Sequence, residues 1–197
     1  MVELTPRKPS LERILRAAVS VFAQRGYDGA SLREVAEAAG VTKPTLYNHF
    51  GSKASLYEET IRWMHARVIR RLEQAAAGHT SAYERLLSIM QAELEQARQY
   101  SDLIRVGHSL LFLPDEVQPC IRPQELFQER FNLLLRVVRE GVATGELEGK
   151  PEDIALAISS ATSSLALAQA LMPSLPVFRT AVEERILRVL FHGAKKR

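Results

Sequence analysis

The chain has 197 residues and a mass of 22.1 kDa, with 46% hydrophobic and 25% charged residues. That make-up suits a globular chain with apolar material for one or two cores and excludes a disordered or collagen-like polymer. The formal charge of +3 is unevenly placed: residues 1–53 hold eight Lys/Arg against five acids, and the remaining residues hold 18 of each sign. The excess points to a polyanion meeting the first quarter alone. One cysteine, Cys120, excludes an intramolecular disulfide and a Cys-based zinc site. With no apolar leader before Leu11, the expected compartment is a reducing cytoplasm.

Ten glycines and nine prolines leave few breaks, and Ala, Leu, Arg, Glu and Gln favour helix throughout. The expected fold class is all-α, with about nine helices and no strand. The first helix spans Ser10 to Arg25, turning Leu11, Ile14, Ala18, Val21 and Phe22 inward, and Gly26 ends it as a left-handed cap. Asp28-Gly29 makes a turn. Ser31-Leu-Arg-Glu34 is a capping box, opening a helix that ends at Gly40. Thr42 caps a short third helix stopped by Gly51, and Ser52 caps a longer fourth over about 52–77. Further helices are expected at about 80–99, 101–113, 123–144, 151–172 and 176–193.

Helices of about eight and seven residues joined across Gly40-Val41 cannot stand alone, and pack on the first through Val35, Val41, Leu46 and Phe50. The unit is a helix-turn-helix. Lys43, Pro44, Thr45, Tyr47, Asn48 and His49 then face outward, a mixture of donors and aromatics that calls for a partner. DNA matches it: Lys43 suits guanine O6/N7, Thr45 a thymine methyl or phosphate, and Asn48 an adenine or the backbone. Arg33 reaches a base or phosphate, while Tyr47 and His49 clamp phosphates. Lys53, a cation at a helix N-terminus, is explained if a phosphate shares that end.

Phe22-Ala-x-x-Gly26-Tyr27, Ser31-Leu-Arg-Glu-Val-Ala36, Ala39-Gly-Val-Thr-Lys-Pro-Thr-Leu-Tyr-Asn-His-Phe50 and Ser52-Lys53 together resemble the DNA-binding domain of the TetR family of transcriptional regulators. The likeness covers 45–50 residues and none of the remaining three quarters. It implies a DNA-binding domain at 1–53 and an effector-binding and dimerisation domain at 54–197, joined by the helix at about 52–77. By position it implies operator contacts at Arg33, Thr42, Lys43, Thr45, Tyr47, Asn48, His49 and Lys53. A homodimer, double-stranded operator DNA and a small, largely apolar effector of unidentified structure are the implied partners. Repression relieved by that effector is the implied mode of action, with no cofactor and no metal.

Residues 154–178 carry no charge and are long enough to cross a bilayer, but their serines, Gln169, Pro173 and Pro176 are poor spanning material. Ile154, Ile158, Ala161, Leu165, Ala168 and Met172 form one stripe, and Leu156, Ser160, Ser163, Leu167 and Leu171 another. Two such faces need two partners. With the apolar side of the last helix they suggest a dimer interface containing Ile158, Leu165, Leu167, Val182, Ile186 and Leu190. Aromatic or polar residues among the remaining apolar positions mark an expected effector pocket: Trp63, His65, Tyr83, Arg105, His108, Phe112, Phe127, Phe131 and Gln169. The Pro-rich stretch 113–123 is a loop able to gate it, with Cys120 an inert thiol.

Enzyme readings find little footing. Gly51-Ser-Lys-Ala-Ser lacks the first glycine and the preceding strand of a phosphate loop. The five histidines show no i,i+4 pair, and Glu58-Glu59, Glu183-Glu184 and Glu93-x-Glu95 read as solvated helix faces. A ligand-independent architectural DNA binder is the alternative to a ligand-responsive regulator; it predicts a body without a buried polar cavity.

Overall fold

A computed structural model describes residues 9–109, 123–179 and 181–192. Among them are nine α-helices and no strand: α1 (Pro9–Gly29), α2 (Leu32–Ala39), α3 (Lys43–Phe50), α4 (Lys53–Ala77), α5 (Ala82–Gln99), α6 (Ser101–Ser109), α7 (Pro123–Ala143), α8 (Pro151–Leu171) and α9 (Val182–His192). The chain divides into two compact units, Met1–His65 with Arg105–Ile121 and Ala66–Ile104 with Arg122–Arg197. The division therefore falls inside α4, about a dozen residues beyond the expected boundary after Lys53.

In the first unit, α1 buries Ile14, Leu15, Ala18, Val19 and Phe22 on one stripe. Gly26 has a positive φ as expected, but at φ 69° and ψ 177° it is not a left-handed cap, and a further helical turn runs on to Gly29. The non-helical Gly26 thus ends the main helix at the expected place, and a short second helical stretch follows it. The capping box at α2 is present in both directions: Ser31 Oγ accepts from Glu34 N at 3.2 Å, and Glu34 Oε2 accepts from Ser31 N at 2.9 Å. Gly40 closes α2 in the left-handed conformation, φ 62° and ψ 40°. Arg13 Nε donates to the freed carbonyl of Ala39 at 2.9 Å, tying α1 to that helix end. Thr42 caps α3 and Pro44 stands in its first turn, where an N–H has no helical acceptor. Leu46 and Phe50 carry α3 into the core. Ser52 Oγ accepts from Ser55 N at 3.0 Å to start α4, whose Tyr57 packs edge-on against Phe22 and Tyr27.

The second unit is a bundle in which α5, α7 and α8 pack on one another and α9 lies against α5 and α8. Its core includes Leu72, Leu86, Ile89, Met90, Leu134, Val137, Ile158 and Leu187. α5 and α7 approach closely at Gly141, where a Cβ would lie 2.6 Å from the Ala82 Cβ and 2.8 Å from Leu147 Cδ1. Glu146, between α7 and α8, accepts from the amides of Ala82 (2.7 Å) and Tyr83 (2.9 Å) and so caps α5. These bonds, led by that from the Ser81 hydroxyl, hold its carboxyl below the usual range.

The last segment differs from a single helix over 176–193. Pro176 opens one 3-10 turn, Pro176–Arg179, and the α-helix starts only at Val182. On α8, a window with mean hydropathy 1.5 passes the length and composition test for a membrane span. Ser159, Thr162 and Gln169 of this helix are buried, and α5, α7 and α9 pack against it.

Candidate nucleic-acid interface and effector site

Lys43, Tyr47, Asn48 and His49 of α3 are exposed, while Leu46 and Phe50 are buried and carry the helix into the core. Tyr47 is 45% exposed, and Lys43 Nζ sits 5.6 Å from its ring centroid, so the amine is held near the helix start. Thr42 and Thr45 share a hydroxyl–hydroxyl hydrogen bond of 2.8 Å. That bond, with the cap to Thr45 N, fixes the first turn of α3. Arg33, at the first turn of α2, is exposed and donates through Nε to Glu37 Oε1 at 2.8 Å, which raises its pKa further above the ordinary arginine value.

Lys53 has partners within the head. Its Nζ donates to the carbonyls of Asp28 (3.1 Å) and Ala30 (3.0 Å) and lies 4.6 Å from the Tyr27 ring centroid. A cation at the start of α4 is accounted for by these partners, which bind the turn after Gly26 to α4. No phosphate is needed to explain it.

The described members of the expected pocket set are divided between the two units. Trp63 is buried in the first unit with the Arg16 guanidinium 5.8 Å from its ring centroid, and His65 belongs to the same unit. Arg105 is exposed. Phe127 is 48% exposed and stacks on Phe131 at 5.9 Å near the start of α7. The side chain of His108, with Phe112 and Cys120, lies outside the described residues. Tyr83 packs on Phe191 and lines a surface cleft of about 740 Å³ whose rim carries Glu146, Glu148 and Asp153. Gln169 is buried, and its Oε1 accepts from Arg98 Nε at 3.4 Å.

The interior of the second unit instead holds a polar network that the sequence reading passed over. Arg130 of α7 pairs through Nη1 with Glu93 Oε1 of α5 at 2.6 Å, both side chains only 12% exposed. Its Nη2 donates to Ser159 Oγ (2.6 Å), Ser163 Oγ (2.7 Å) and the Ser159 carbonyl (3.3 Å) on α8. Burial pushes the Glu93 carboxyl upward, against the pull of Arg130. Glu93 Oε2 and Gln96 Nε2 are buried with no protein partner. Glu93 is thus not on a solvated face. The signal was present: with Leu86, Ile89, Met90, Leu94 and Ala97 at core spacing, 93 and 96 fall on the same inward stripe.

The expected dimer stripe needs a similar correction. Ile158 and Val182 are 0% and 2% exposed within their own bundle, and Leu165 and Ile186 pack partly into its core. Leu167 is half-buried and Leu190 exposed. The apolar side chains that α8 and α9 leave uncovered are Leu156, Leu171, Val189 and Leu190.

A short, capped helix that presents Lys, Tyr, Asn and His from a three-helix head defines the class of helix-turn-helix transcriptional regulators. Residues 14–60 match the family described as bacterial regulatory proteins, tetR family. The chain is similar to the transcriptional activator FasR of Mycolicibacterium smegmatis, 34% identical over 120 residues. That alignment takes in 60% of this chain and spans about half, 53%, of the activator. The transcriptional repressor KstR2 of the same organism is 29% identical over 152 residues, 72% of this chain and 70% of that one. In fold, the chain is similar to the regulator FadR from Bacillus subtilis, solved in complex with stearoyl-CoA. The TM-score is 0.79 at 20% identity, over 93% of this chain and 99% of that one. Residues 14–60 thus carry the tetR-family regulatory region, and the relatives aligned over longer stretches are transcriptional regulators.

Proposed function

We propose that the chain is a homodimeric repressor that binds a palindromic operator and is released by a small, largely apolar effector. The observation that carries the DNA-binding part is the exposed face of α3, held rigid by the Thr42 cap and the buried Leu46 and Phe50. Lys43 and Asn48 read base edges, whereas Arg33, Tyr47 and His49 position the phosphates. Thr42 and Thr45 act chiefly by shaping the helix start, and Lys53 by holding the head together.

Dimerisation uses the uncovered stripe of Leu156, Leu171, Val189 and Leu190. The buried polar network in the body supports an effector-responsive regulator over an architectural binder, which has no use for one. A ligand bound to FadR of B. subtilis, a protein of similar fold, supports the same reading. An effector that prefers the body conformation in which the two heads are wrongly separated lowers operator affinity by its difference in affinity for the two states, typically about 1–3 kcal/mol.

The test is selection from a randomised duplex pool at two salt concentrations. A palindrome with half-sites about 34–36 Å apart is expected. Retention without a common sequence, collapsing at high salt, leaves phosphate attraction alone and overturns the reading. Placed upstream of a reporter, the selected palindrome lowers expression when the protein is present; increased expression overturns repression but not DNA reading.

A further inference from the structure

We propose that Glu93 and Gln96 on α5 form the head-group anchor of the effector site and select a neutral ligand group, an alcohol or amide on an apolar body, over a carboxylate. This inference rests on the effector-gated reading above. Two atoms carry it: Glu93 Oε2 and Gln96 Nε2, one an acceptor and one a donor, both buried and without a protein partner. An unpaired buried polar atom is costly, so a pair of opposite kind on adjacent turns of one helix is a place that a ligand group completes. Side chains at i and i+3 lie close enough for a single hydroxyl to accept from Gln96 and donate to Glu93. An amide satisfies both in the same way.

The charge of the ligand is decided by Arg130. Its Nη1 faces Glu93, and its Nη2 is divided among three oxygens of Ser159 and Ser163. The guanidinium is therefore already matched, and a carboxylate entering beside Glu93 meets a like charge that Arg130 does not relieve. The surroundings are apolar: Ile89, Met90, Leu94 and Leu134 are fully buried nearby on α5 and α7. They suit an aliphatic or ring-bearing body on the ligand.

The experiment uses full-length protein and three probes of equal chain length, 1-decanol, decanamide and decanoate, with binding measured by calorimetry. Decanol and decanamide are expected to bind at least about tenfold more tightly than decanoate. Gln96→Leu removes an unpaired amide, so it should fold normally while losing about tenfold in decanol affinity. Glu93→Gln narrows the gap by relieving decanoate. Decanoate binding as tightly as decanol, no binding by any probe, or a Gln96→Leu protein that binds decanol unchanged each overturn the anchor; the last outcome assigns the free atoms to water. Operator affinity is measured with the same probes. If decanol binds as expected but leaves operator affinity unchanged, the anchor stands and the gating reading fails.

Discussion

The head and the body use their polar side chains in opposite ways. In the head, Lys43, Tyr47, Asn48 and His49 project from α3 while the core beneath is almost wholly apolar. In the body, Glu93, Gln96, Arg130, Ser159 and Gln169 turn inward, and apolar Leu156, Leu171 and Leu190 face out. Polarity aimed outward from a rigid helix suits recognition of a large charged surface. Polarity kept inside a bundle suits a small molecule that must leave water, because a buried unpaired group gives far more discrimination than a solvated one.

The strongest way to break that contrast is Arg130→Met. Removing one partner strands the Glu93 carboxylate, and a loss of about 3–5 kcal/mol in urea denaturation is expected, with most recovered in Glu93→Leu/Arg130→Met. A single variant as stable as wild type would mean the body network is solvated after all. Next in size is Gly141→Ala, where a methyl group meets Ala82 and Leu147 and overpacking costs about 1–3 kcal/mol. Its effect should show in stability alone.

Lys43→Ala tests the other side of the comparison. Stability is expected to stay put, while preference at one base pair falls by about 1–3 kcal/mol in competition binding. A uniform loss across sequences would make Lys43 a phosphate contact. Lys53→Ala is expected to do the reverse, lowering thermal stability by about 1 kcal/mol through loss of the Tyr27 and carbonyl contacts. If instead it leaves stability unchanged and flattens the salt dependence of operator binding by about one, Lys53 serves a phosphate.

The smallest expected effect is in pH dependence, and it has opposite signs in the two regions. Hydrogen bonds from Ser31, aided by Arg25, hold the Glu34 carboxyl low. Its contribution is present above the ordinary carboxylate value and lost as pH falls through the depressed one. Glu93 is raised by burial, so its contribution is full below the ordinary value and lost as pH rises through the raised one. Denaturation of Glu34→Gln and Glu93→Gln across pH 3–7 should therefore remove opposite slopes. Slopes of the same sign would deny Glu93 its dry environment.

The head was legible because its determinants are local. Ser31 and Glu34, Thr42 and Thr45, and Ser52 and Ser55 are each three residues apart, and left-handed Gly40 follows α2 directly. Such signals need only the chain's own neighbours. The partners of Lys53 lie across the head in the carbonyls of Asp28 and Ala30, which sequence spacing does not announce. The expected pocket rested on residue type alone. An aromatic or polar residue in an apolar run does not announce its surroundings: Trp63 lies in the head with Arg16 over its ring, Phe127 is exposed, and Gln169 accepts from Arg98.

By itself, the sequence determined the helical class, the order of the nine helices and the outward face of α3, since propensity, caps and periodicity act within a few residues. Which of two apolar stripes on α8 is core and which is uncovered depended on the packing of α5, α7 and α9 around it. Only the tertiary structure made Glu93 a buried partner of Arg130, 37 residues away, and left the Gln96 amide without one. Burial and pairing are properties of elements brought together, and a polar residue on an inward stripe acquires its meaning from the helix opposite it.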